Sequence, residues 1–301
     1  MELNGVEIED TYCEAFGSNF ARVVVTAINE KWAKIAGQIA TGYGTSTIHC
    51  DAEAAIDVII PADKTPDNRP GVALMFFIGD KKQVGNVVMN RLGQCVLTCP
   101  TTACFDGMIG SLDPAKEFEI KIGDNLRYFG DGFEEKVEGT TNWKIPVMDG
   151  EFVCQGTVKA GKGIAGGNFL IYAKDQESCL AAAEASIEAI KDLENIIAAF
   201  PGGVARSGSK VGSKYSFLGA STNDAYCPTL RSKSDKTVLK ENDNCVYEII
   251  LDGATEDVIK KAMKLGIEAA VKVAGVTKIS AGNYGGKLGK FHYKLHELGL
   301  Q

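Results

Sequence analysis

Glu248 is the residue of this sequence best placed to do chemistry. It lies in the middle of Cys245-Val246-Tyr247-Glu248-Ile249-Ile250-Leu251, an apolar run of strand length. Side chains alternate across a strand, so Val246 and Ile250 share its face. A carboxyl held there loses water, and desolvation disfavours the charged form, so its pKa rises. Protonated near neutral pH, it can donate a hydrogen bond to an oxygen that is gaining negative charge. The alternative is a glutamate standing in solvent on an open sheet face.

Three segments combine glycine with Lys or Arg: KAGKGIAGG (159–167), PGGVARSGSKVGSK (201–214) and NYGGKLGK (283–290). Glycine lets backbone N–H groups approach a ligand, and the cations add charge. Read as loops beside strand ends, they predict a binding cleft that gathers positive potential. Other motifs fail on context. Gly161-Lys162-Gly163-Ile164-Ala165-Gly166 has dinucleotide-loop spacing, but those glycines should follow a strand and open a helix. Here they precede the strand-like NFLIYA. Ser207-Gly208-Ser209-Lys210 matches the S-x-x-K of serine acyl-enzymes, yet its surroundings are broken by glycine and show no helical period. Cys95, Cys99 and Cys104 lack the doubled close spacing of a zinc site, and His292 and His296 alternate with Phe291, Tyr293 and Leu295 as in a strand. A metal-free protein is expected.

The elements that must position these residues recur in two halves. Val23–Val25 leads into the helical run INEKWAKIAGQIA, and Phe169–Tyr172 leads into DQESCLAAAEASIEAIKDLENI. Then VALMFFI (72–78) precedes a helix ending at Arg91-Leu92-Gly93 and an expected strand Cys95–Cys99. Likewise Cys245–Leu251 precedes a helix containing Lys264-Leu265-Gly266 and a strand Thr277–Ala281. Val258, Ile259, Ala262, Leu265, Ala269 and Val273 line one helical face, with Thr255 as N-cap; Asp175 caps the Ala-rich helix. Two strand–helix–strand units per half predict an α+β fold of two ferredoxin-like lobes from an internal duplication. The lobes are residues 1–149, with an insertion near 106–149, and residues 150–301. By the Arg/Lys-Leu-Gly match, Met75 is the counterpart of Glu248. Each sheet leaves one face to be covered, by the other half or by a second subunit.

Composition bounds the rest. The chain is 45% apolar and 24% charged, as in ordinary globular proteins. A net charge of -7 without a basic stripe argues against nucleic acid. No apolar run approaches the roughly 20 residues of a membrane span. The start MELNGVEIEDTYCEAF lacks a signal-peptide pattern, and nine scattered cysteines predict a reduced, cytoplasmic protein.

Long stretches resemble the formylmethanofuran–tetrahydromethanopterin formyltransferase family: NGVEIEDTYCEAF, ARVVVTA, RPGV (69–72), RLGQCVLTCPTTACF (91–105), GIAGGNF (163–169), FPGGVARSGSKVG (200–212) and KISAGNYGGKLGKFHYKLHEL. The resemblance implies reversible formyl transfer from formylmethanofuran to N5 of tetrahydromethanopterin, or a close pterin variant, in C1 metabolism and methanogenesis. It implies ferredoxin-like lobes in a homodimer or homotetramer, with the two C1 carriers as substrates and no tightly bound cofactor. The family's VYEI glutamate serves the tetrahedral intermediate, which places that role on Glu248. Both carriers end in carboxylates, and the pterin carries a phosphate. Arg206, Ser207, Lys210, Lys214, Lys287 and Lys290 are the expected substrate-binding residues. Two rival readings are a subunit of a formyltransferase/hydrolase complex and a non-catalytic pterin-binding relative.

Overall fold

Two long strands, Tyr12–Thr26 and Thr157–Ala173, organise the computed structural model, which describes all 301 residues. They pair with each other antiparallel, from Phe16 opposite Ala165 to Ala21 opposite Ala160. Beyond that seam each strand runs into its own half of the chain. Asn19–Thr26 pairs with Gly71–Ile78, and Leu170–Ala173 pairs with both Cys245–Gly253 and Val276–Ser280. One 16-stranded mixed sheet results, with parallel pairs such as Cys104 opposite Cys154.

The helices follow their caps. Asn29, Asp175 and Thr255 each accept a backbone N–H of the first turn, opening Glu30–Thr41, Gln176–Ile190 and Glu256–Ala270. They bury their apolar stripes on the sheet as two cores. One joins Val23, Val25, Leu74 and Phe76 to Ala33, Ala36 and Val88. The other joins Phe169, Ile171, Ile249 and Leu251 to Cys179, Ala182, Ile259 and Ala262, and also takes Val6, Ile8, Cys13 and Ala15 from the start of the chain. Between the halves, buried Arg22 bonds the Asp57 carboxylate at 2.7 Å, and Asp57 accepts the Ile196 N–H at 3.2 Å. No helix is long and apolar enough to cross a membrane.

Two expectations are corrected. Cys95–Cys99 is not a strand: the helix Val84–Arg91 continues as a π turn, Leu92–Val96, and the strand comes later, at Ala103–Asp106. A short apolar run does not separate the two periods, and the helix simply had not ended. The glycines of 159–167 are not a loop before a strand but the interior of the strand Thr157–Ala173. Gly166, at φ +82°, forms a bulge in its pairing with Cys245–Gly253.

The uncovered sheet face of the second half is closed by the chain itself. Leu170, Tyr172 and Val246 turn away from the helices and pack under Leu239 and Tyr226, from the long segment preceding Cys245. That segment builds the site.

Candidate active site

Glu248 sits mid-sheet, level with Leu170 on one side and Ala205 on the other. Its carboxyl lies where two cavities meet. The smaller, about 100 Å³, is roofed by the covering segment through Arg206, Thr222 and Tyr226. The larger, about 480 Å³, runs toward the seam of the long strands past Phe16 and Ser18. Asn168, Gly208, Ser209 and Tyr284 line both. Gly208 lies so close that a Cβ there would come within 3.4 Å of the Glu248 carboxylate. Burial pushes the Glu248 carboxyl up to about 7. The side chain is half-buried, neither free in solvent nor sealed off. A carboxyl with these surroundings holds its proton near neutral pH and can present it to a reacting oxygen.

When the N-caps Asn29 and Asp175 are aligned, Leu170 corresponds to Val24, whose cross-strand partner is Ala73. Ala73, two residues before Met75 on the same face, is therefore level with Glu248. Both are buried and apolar, so the contrast between the halves stands with a shifted partner.

The basic residues separate. Arg206 lines the smaller cavity and Ser207 the larger, so both stand with Glu248. Lys210 lies on the hairpin formed by Ser209–Val211 and Ala220–Thr222, where its ammonium is ion-paired with Asp224. Asp224 also accepts Ser234 Oγ at 2.7 Å. Lys214 and Lys287 are exposed and line neither cavity. Lys290 lines a third cleft farther along the seam. Cys95, Cys99 and Cys104 do not converge: Cys104 is buried against Cys154, and no group of three His, Cys, Asp or Glu side chains is gathered as metal ligands.

Sequence reasoning missed two acidic features. Fully buried Glu14 accepts four backbone N–H groups from residues 284–289. TYCEAFG carried the same mid-strand-acid signal that marks Glu248, so it was readable. The second is a carboxyl pair joining the halves. Buried Asp252 accepts the Gly166 N–H at 2.9 Å and meets Glu53, which lines the larger cavity and accepts the Thr47 N–H at 3.0 Å. Burial raises both carboxyls, and the negative charge of Glu53 raises Asp252 further. Two carboxylates in contact without a cation share a proton. A carboxyl with a raised folded pKa gives most stability below its ordinary range and loses it as pH climbs toward the folded value. Asp252→Asn keeps the acceptor for Gly166 and supplies a fixed donor to Glu53. Its melting temperature should exceed the wild type's at pH 8 and the gap should close by pH 5; a variant less stable at pH 8 contradicts the shared proton.

A half-buried carboxyl where two cavities meet suits a transferase that aligns two organic substrates. Comparison with known proteins makes the class specific. The family model described as formylmethanofuran-tetrahydromethanopterin formyltransferase matches residues 1–147, and that of the family's proximal lobe matches residues 150–298. The chain is 50% identical to the formylmethanofuran--tetrahydromethanopterin formyltransferase of Methanopyrus kandleri over 99% of its own length and 100% of the relative's. It is 50% identical to that of Methylococcus capsulatus, covering 99% of each. Its structure superposes on the Methanosarcina barkeri enzyme with a TM-score of 0.94 at 48% identity, over 99% of this chain and 100% of that one. A chain of the formyltransferase/hydrolase complex from Methylorubrum extorquens, solved with methylofuran, gives 0.93 at 42% identity, over 99% and 98%. The chain belongs to the formylmethanofuran–tetrahydromethanopterin formyltransferase family and is a formyltransferase.

Proposed function

We propose that this chain moves a formyl group reversibly from formylmethanofuran to N5 of tetrahydromethanopterin, or a close pterin variant, with Glu248 as the catalytic carboxyl. The observation that carries the reading is the desolvated Glu248 carboxyl at the meeting point of two cavities. The pterin amine attacks the formyl carbon, and the carbonyl electrons move onto oxygen. Protonated Glu248 donates a hydrogen bond to that oxygen as its charge grows. The attacking nitrogen loses its proton, the departing nitrogen gains one, and the old C–N bond breaks as the carbonyl reforms. Holding the carriers with amine facing formyl supplies most of the rate, because it replaces a bimolecular encounter with an aligned one.

The two halves are proposed as ferredoxin-like lobes, residues 1–149 and 150–301, joined through the long strands. Arg206 and Ser207 face the carriers beside Glu248, whereas the ion-paired Lys210 serves the hairpin. Exposed Val211, Tyr215 and Phe217 on that hairpin favour assembly as a homodimer or homotetramer. Action within a formyltransferase/hydrolase complex is the second reading, favoured by the likeness to the Methylorubrum chain. The purified chain, given both carriers and no other protein, should transfer formyl between them in both directions, and light scattering on the same preparation should read a dimer or larger. Transfer only after a hydrolase partner is added would favour the second reading, and carrier binding without turnover would refute both.

A further inference from the structure

The segment 45–49 walls the larger cavity through Ser46, Thr47 and Ile48, yet it has little of its own to hold it in place. Thr47, Ile48 and His49 are exposed. The turn closes on itself, with Cys50 N–H donating to the Ser46 carbonyl at 2.8 Å and His49 N–H to the same oxygen at 3.2 Å. Its ends are pinned within the first half. The Gly44 carbonyl accepts the Ala54 N–H at 2.7 Å. Arg91, ion-paired with Asp51, donates to the Ala40 and Gly42 carbonyls at 2.7 and 3.0 Å. Between those pins only Glu53 bonds to the segment from outside, accepting the Thr47 N–H at 3.0 Å and the Thr47 hydroxyl at 3.3 Å. A stretch with so little buried surface opens readily, so this carboxyl decides where the wall stands.

Glu53 is itself anchored in the other half, against fully buried Asp252. One Asp252 oxygen accepts the Gly166 N–H at 2.9 Å; the other, Oδ2, is buried and has no donor. Buried polar atoms are rarely left unpaired. A hydrogen on Oδ2 directed at Glu53 satisfies both carboxyls and leaves Oε1 of Glu53 to Thr47. Glu248, Ile250 and Asp252 alternate onto one face of Cys245–Gly253, so the strand that carries the reactive carboxyl also carries this anchor. The Gly166 carbonyl in turn accepts Asn168 Nδ2 at 3.1 Å, and Asn168 lines both cavities. The series Gly166, Asp252, Glu53, Thr47 therefore runs from the strand bulge of one half to the cavity wall of the other.

Resting on the formyl-transfer reading, we propose that Glu53 is a positioning residue: braced by Asp252, it holds Thr47 and so fixes the 45–49 segment as the first-half wall of the larger cavity at Glu248. It acts through that wall and touches no reacting atom. The clamp requires one hydrogen between the two side chains and an acceptor for Thr47; it does not require a charge. A wall fixed beforehand spares binding the entropy of ordering it, so the effect belongs in KM and not in kcat.

The experiment compares Glu53→Ala, Glu53→Gln and Asp252→Asn by kcat and KM for both carriers and by hydrogen exchange of residues 45–49. Each amide variant still places one N–H between the pair and keeps an oxygen for Thr47 or Gly166, so both should match wild type within about twofold. Glu53→Ala should raise KM about tenfold, the worth of the hydrogen bonds to Thr47, with kcat unchanged. In that variant the Thr47 amide should exchange about tenfold faster while Val72–Ile78 stays protected. Thr47→Val drops the hydroxyl donor at an exposed position and leaves the carboxyl pair intact. It should raise KM about threefold and decides the matter if Glu53→Ala does not fold; an unchanged KM there would overturn the clamp. A Glu53→Gln protein as impaired as Glu53→Ala would overturn it in favour of a charge that meets the carrier directly. A freed segment with KM unchanged would overturn it as well. A wild type without turnover would refute the functional reading instead. The clamp is then read from exchange, and equal protection of 45–49 in wild type and Glu53→Ala would overturn it independently.

Discussion

Glu248→Ala should lower formyl-transfer turnover about a hundredfold, roughly 3 kcal/mol of lost stabilisation, while leaving the affinity for both carriers little changed. The carbonyl oxygen becomes an oxyanion only during reaction, so a donor aimed at it acts on kcat and not on binding. Glu248→Gln keeps a donor of nearly the same shape and should retain more activity than alanine. The two variants also separate the donor from its titration. Burial pushes the wild-type carboxyl up to about 7, so the donating form is complete below that pH and lost above it. Wild-type kcat/KM should therefore fall as pH rises through about 7, and that limb should vanish in Glu248→Gln. Stability moves the same way. Because the folded pKa is raised, the contribution of Glu248 to folding is present in acid and lost as pH rises from the ordinary carboxylate range toward 7. Glu248→Gln should accordingly be no less stable than wild type at pH 8. A folded Glu248→Ala protein turning over like wild type would return the residue to a structural role.

What could be read in the sequence depended on how far apart the cooperating residues lie. Glu248 was legible because its neighbours at two-residue spacing already define a half-buried face. The caps Asp175 and Thr255 were legible because a cap and its helix are contiguous. The seam of the long strands was not. Gly161, Gly163, Gly166 and Gly167 argue locally for a loop, since glycine weakens a strand, and only pairing with Phe16–Ala21 and Cys245–Gly253, far away in sequence, keeps that stretch in the sheet. Lys162 looked like one more loop cation for the same reason. Lys210 is the converse case. Its charge was visible, but Asp224, fourteen residues on, takes it up only once the hairpin closes. The strand-then-helix order within each half was readable from local runs, whereas the carboxyl pair of Glu53 and Asp252 belongs to no local pattern and exists only where the halves touch.

Glu14→Ala should release the 284–289 loop and with it one wall of the two cavities at Glu248. Both carboxylate oxygens are fully used: Tyr284 and Gly286 donate to one at 2.6 and 2.8 Å, Leu288 and Gly289 to the other at 2.7 and 2.6 Å. Burial alone would raise this carboxyl, but the four backbone donors outweigh it and hold it down to about 2. The loop is shaped to this anion. Gly286 takes φ +73°, and a Cβ on Gly289 would sit 2.4 Å from the Ala15 carbonyl oxygen. Deleting the carboxylate leaves four donors facing a cavity, each costing about 1–3 kcal/mol if it stays dry. Opening the loop to water relieves most of that, so the expected global loss is only about 3 kcal/mol. Glutamine is no substitute, because its NH₂ meets two of the four N–H groups head on. The loop carries Tyr284 into both cavities that Glu248 lines, so its release opens them further to water. Release should therefore raise KM for the carriers and move the pH limb near 7 toward the ordinary carboxylate range, which general destabilisation would not do. The depressed pKa also fixes an acid dependence: the wild-type contribution of Glu14 is complete above about 4.5 and lost as pH falls toward 2, and the variant lacks it. Hydrogen exchange separates loop from core. Amides of residues 284–289 should exchange faster in Glu14→Ala, while those of Phe169–Ala173 stay protected; equal protection of the loop in both proteins would show that it holds its shape without the carboxylate.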